Sequence, residues 1–77
     1  MAVKEFDYSE LRGKIREVFG TQEKFAKAMG FSTVALSKKL NNVVPFTQPE
    51  INKACDLLGI SLEFIPVIFF KEKVKTS

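Results

Sequence analysis

Residues 21–42 read TQEKFAKAMGFSTVALSKKLNN, two short amphipathic stretches that meet at Gly30 with no room for a long loop. Thr21 is placed to cap the first stretch through its hydroxyl, and Phe25, Ala26 and Met29 then form one apolar face at helical spacing. Gly30 suits the left-handed conformation that ends a helix. Ser32 is placed to cap the second stretch, with Phe31 before the cap and Leu36 at the position of a hydrophobic staple. Two helices must therefore cross at a sharp angle, with the small Ala26 at their contact.

Leu36 and Leu40, four residues apart, point the second helix inward. That leaves Thr33, Val34, Ser37 and Lys38 on its outward face. Short polar and small apolar side chains there let the helix axis approach a partner closely, as a DNA major groove requires.

On these residues the chain resembles the lambda repressor and Cro superfamily of helix-turn-helix regulators, whose motif opens with Gln and continues with Ala and Gly at the spacing of Gln22, Ala26 and Gly30. The segments YSELRGKI, LSKKLNN, PFTQPEI and IPVIFF extend the likeness to small phage-type Cro-like proteins of Gram-positive bacteria and their phages, over residues 8–70. The resemblance implies an all-α fold, a compact lambda-repressor-like DNA-binding domain of four to five helices. It also implies that Gln22 bonds a phosphate and braces the reading helix, while Lys39, Asn41 and Asn42 hold the DNA backbone beyond its end. In that superfamily an apolar residue stands three after the Leu36 position, where this chain has Lys39. The reading helix therefore has two registers open to it, with Lys38 or Lys39 towards the bases.

Composition bounds the rest. A chain of 77 residues buries one modest core, so residues 1–77 are read as a single domain. With no histidine and one cysteine, Cys55, zinc sites built on histidine, Cys/His nucleophilic pairs and disulfide frameworks are excluded by counting. Cys55 reads as a small buried hydrophobe. A cytoplasmic protein with no cofactor, no metal and no enzymatic activity is the expectation. The longest apolar run, residues 60–70, is interrupted by Ser61, Glu63 and Pro66, and MAVKEFDYSE lacks a signal-peptide core. Net charge is +3, and the excess lies on residues 21–42, with four lysines against Glu23, and on the last thirteen residues. Phosphate contact by those two regions would produce that distribution, and so would an unevenly charged solvated surface.

The remaining segments read as scaffold. Asp7 with Glu10 makes a capping signal for a first helix whose Tyr8, Leu11, Ile15 and Val18 recur at helical intervals, with Phe19 beside them and Gly20 as the stop. Gly13 within it costs about 1 kcal/mol relative to Ala, explained either by a close helix contact or by surface tolerance. Thr47, Glu50, Phe46 and Ile51 form a capping box with a staple, Pro49 fits the first turn, and the helix runs to Gly59, burying Ile51, Ala54, Cys55 and Leu58. Ser61 caps a further short helix. Val67, Ile68, Phe69 and Phe70 then divide the reading: they fold back on the first helix, or they use their β preference in an extended dimerisation segment within residues 66–77. A helical turn followed by an extended segment is the form expected, with Ile68, Phe69 and Phe70 joining protomers.

Two functions follow. The first is a sequence-specific transcriptional regulator that binds double-stranded operator DNA as a homodimer, with Ser32, Thr33, Val34, Ser37 and Lys38 at the groove. The second is a phage antirepressor or modulator of repression that binds a repressor protein through the same fold. The second draws on the modest charge, the absence of Arg, Gln or Asn among the reading residues and the apolar C-terminus.

Overall fold

The computed structural model describes residues 5–72. The Tyr8 ring is drawn into the core, and the backbone turns into α1, Ser9–Phe19, one residue later than the Asp7 signal predicts. Asp7 accepts instead from the Ser9 N–H at 2.9 Å. Leu11 and Ile15 carry the buried stripe, while Val18, expected inside, is exposed and Phe19 packs in its place edge-on against Phe25. Gly13 is exposed with open space around it, which selects surface tolerance over a close helix contact.

In α2, Gln22–Met29, the Thr21 hydroxyl accepts from the Lys24 N–H at 3.2 Å, and Gly30 closes the helix in the left-handed conformation with φ of 83°. Ser32 Oγ accepts from the Ala35 N–H at 3.1 Å and starts α3, Thr33–Leu40. The α2–α3 pair therefore forms as its local signals dictate, joined by three residues.

α4, Gln48–Leu58, opens on a complete capping box between Thr47 and Glu50 and ends at left-handed Gly59. It buries the four residues expected of it, and Lys53 Nζ donates to the Met29 carbonyl at 3.5 Å, tying α4 to the end of α2. After a 3-10 turn at Leu62–Phe64, Pro66 sits in the first turn of α5, Ile65–Phe69, which packs on α1 and α4.

Of the segment expected as a helical turn followed by an extended stretch, residues through Phe69 are helical, and residues 73–77 lie outside the described residues. Among the described residues the only β-type pairing is one antiparallel bridge between Phe6 and Glu72, supported by the Asp7 N–H donating to the Lys71 carbonyl. Around that closure Phe6, Tyr8, Phe46, Phe69 and Phe70 meet in tilted and edge-to-face pairs. No described helix is long and apolar enough to cross a membrane.

Candidate functional site

The outward side of α3 presents Thr33, Val34, Ser37 and Lys38, all exposed, with Val34 at 62%. Gln22 is exposed at the start of α2. Around these positions most of the other polar groups are engaged within the fold. The Ser32 hydroxyl is occupied by its cap. Asn41 Nδ2 donates to the Ser37 carbonyl at 2.8 Å and to Ser37 Oγ at 3.2 Å, while Asn41 Oδ1 accepts from Arg12 Nη2 at 3.3 Å.

Asn42 is not a free contact at the end of the helix. It adopts a φ of 64° that few non-glycine residues take, and its carboxamide grips the backbone of Phe6 at both ends. The Phe6 N–H donates to Asn42 Oδ1 at 2.8 Å, and Asn42 Nδ2 donates to the Phe6 carbonyl at 3.0 Å. Its role is to hold the segment leading into α1 against the α3–α4 connection.

Lys39 departs furthest from expectation. Only 7% of it is exposed, and Nζ lies 3.0 Å from Glu50 Oε1 and 3.2 Å from the Pro45 carbonyl. It also stands 5.3 and 5.8 Å from the Phe31 and Phe46 ring centroids. Lys39 thus fills the inward place three residues after Leu36 with its alkyl stem among rings and its charge satisfied. The register is decided: Lys38 faces outward, and Lys39 is withdrawn from any partner. Burial works against the Glu50 carboxylate, but the Thr47 N–H and the Lys39 ammonium overcome it and hold its pKa below the ordinary range.

The proposed dimerisation residues also change role. Ile68 and Phe69 are core residues, Phe69 at 1% exposure, because α5 turns them onto α1 and α4. Only Phe70 of the three remains exposed. Exposed apolar side chains gather instead just before them, at Leu62, Phe64 and Val67. Sequence reasoning passed over Arg12 and Arg16, which line a cavity with Ile15, Gly20, Thr21 and Gln22. Their spacing of four residues on one helix was the available signal. Among the described residues no cluster of His, Cys, Asp and Glu is arranged to hold a metal ion.

A search among curated proteins finds no match. Among solved structures, the chain is similar to the solution structure of the modulator of repression (MOR) of the temperate bacteriophage TP901-1 from Lactococcus lactis, with 47% identity and a TM-score of 0.78. That likeness covers 91% of this chain and 95% of the other. A family model described as "protein of unknown function (DUF739)" matches residues 4–72. Membership of the lambda repressor and Cro superfamily is corrected by these two findings: the motif at residues 21–42 was read correctly as two capped helices, but such a pair alone does not fix the family. The chain belongs to the DUF739 family.

Proposed function

We propose that this protein is a modulator of repression, a cytoplasmic binding protein without enzymatic activity that acts by engaging a repressor protein. The observation that carries this reading is the 47% identity, across 91% of the chain, to the modulator of repression of a temperate phage. The site geometry favours it over operator reading by the chain alone. Of the nine residues expected at DNA, Lys39 is buried, Asn42 is spent on Phe6, and Ser32 and Asn41 serve caps and internal bonds. Sequence readout needs side chains free to pair with base edges, and the outward set left to α3 has no Arg, Gln or Asn and a single cation, Lys38. Exposed Val34, Val43, Leu62, Phe64 and Val67 are better suited to a protein surface than to phosphates.

A gel shift on the intergenic operator DNA tests the reading, with the purified protein, the neighbouring repressor, and both together. The expected result is no specific shift by this protein alone and a changed shift when the repressor is present. A specific shift by this protein alone, with the repressor's own pattern unaltered by it, would return the function to operator binding.

A further inference from the structure

Arg12 and Arg16 stand one turn apart on α1 and line one cavity of about 350 Å³ at the corner where α1 passes into α2. Buried Ile15 gives this cavity an apolar wall, and Thr21 and Gln22 border it. Two like charges at this spacing repel each other on a helix, and among the described residues no carboxylate forms an ion pair with either. Ion pairs join Lys14 with Glu17 and Lys39 with Glu50 instead. Arg12 is fixed by neutral acceptors only, Nη2 donating to the Leu40 carbonyl at 3.2 Å and to Asn41 Oδ1 at 3.3 Å. Arg16 is exposed. One guanidinium is thus preorganised and the other is free to close on a ligand, an arrangement suited to a planar carboxylate.

We propose that this corner seats an aspartate or glutamate side chain of the protein partner, held by the Arg16 fork with Arg12 behind it and the Gln22 carboxamide donating at the rim. This rests on the reading of the protein as a binder of a repressor. A duplex is the less suitable occupant, because a DNA backbone needs a row of cations along its path and the adjacent α3 has turned Lys39 inward and committed Asn41 and Asn42 to the fold. A two-arginine cavity with an apolar wall fits a single anionic anchor flanked by an apolar contact.

Calorimetric titration of the full chain against the neighbouring repressor, at low and at moderate salt, tests the proposal. Arg16→Gln should weaken binding about tenfold and flatten its salt dependence, while its thermal melt stays that of the wild type because Arg16 is exposed. Wild-type binding with Arg16→Gln equally tight would overturn the carboxylate site and leave the repressor reading standing. An independent arm follows the Arg12, Arg16 and Gln22 side-chain NMR signals while a capped acidic hexapeptide or a short duplex DNA is added. Saturable shifts with the peptide, lost in Arg16→Gln, support the site even if the repressor itself fails to bind, in which case the functional reading falls alone. Absence of peptide shifts, or stronger shifts with the duplex, would overturn the proposal.

Discussion

Lys39 and Glu50 show how one side chain can exchange an apparent binding role for a structural one. A lysine in an apolar slot needs its charge met, and Glu50 Oε1 meets it while also accepting from the Thr47 N–H at 2.9 Å, so the cap of α4 and the inward face of α3 share one carboxylate. Lys39→Met, which keeps the stem and removes the charge, should leave stability within about 1 kcal/mol of wild type, because the Glu50 carboxylate it leaves behind is partly exposed to water and still accepts from the Thr47 N–H. Glu50→Gln should destabilise by about 2 kcal/mol in urea titrations, since it leaves the ammonium uncompensated while Glu50 itself is partly exposed. Because the folded-state pKa of Glu50 is lowered, its stabilising contribution is present above the ordinary carboxylate pKa and is lost as pH falls through the lowered value. The acid limb of the stability profile should therefore be shallower in Glu50→Gln than in wild type. Asn42 makes a comparable case. Asn42→Ala removes both bonds to Phe6 and puts at φ of 64° a residue that tolerates the left-handed region less well than Asn, so a loss of about 2 kcal/mol and faster exchange of the Phe6 amide are expected. Unchanged Phe6 exchange would show that the grip is not made in solution.

The starts of α2, α3 and α4 and the stops of α2 and α4 were legible because their chemistry is local, whereas Asp7 misplaced the start of α1 by one residue and Ser61 makes no side-chain cap. Thr21, Ser32 and Thr47 each accept from a backbone N–H three residues on, and Gly30 and Gly59 take the left-handed conformation, so a few neighbouring letters carry the whole signal. Thr47→Ala should cost about 1 kcal/mol by the same local logic, read as a lowered melting temperature. Residues whose partners lie far along the chain were misread. Asn42 answers to Phe6 and Lys39 to Glu50, and neither pairing leaves a mark in the spacing around it. The β preference of residues 67–70 was overruled by tertiary packing: Ile68 and Phe69 are buried by α1 and α4 once Pro66 has started α5. Phe69→Ala should accordingly destabilise the protein by about 3 to 5 kcal/mol, as a large cavity in a small core does, with no prior effect on self-association. Loss of a dimer with an intact melt would contradict that assignment.

The assembled molecule separates two kinds of surface. Arg12 and Arg16 belong to the corner where α1 meets α2, whereas Phe64 and Val67 expose apolar area beside Glu10 and Lys14 at the α1–α5 groove. A protein partner can use charge for steering and apolar area for residence. The α2–α3 pair, which led the sequence reading towards DNA, spends Thr21 and Ser32 on its caps and Lys39 on the core, and keeps Gln22, Thr33, Ser37 and Lys38 on its exposed side. The partner proposed for this protein is a repressor. Sedimentation velocity on the purified chain mixed with the neighbouring repressor decides it most directly: a new, faster boundary containing both proteins is predicted in the absence of DNA, and two independent boundaries at concentrations well above those of a micromolar complex would contradict it.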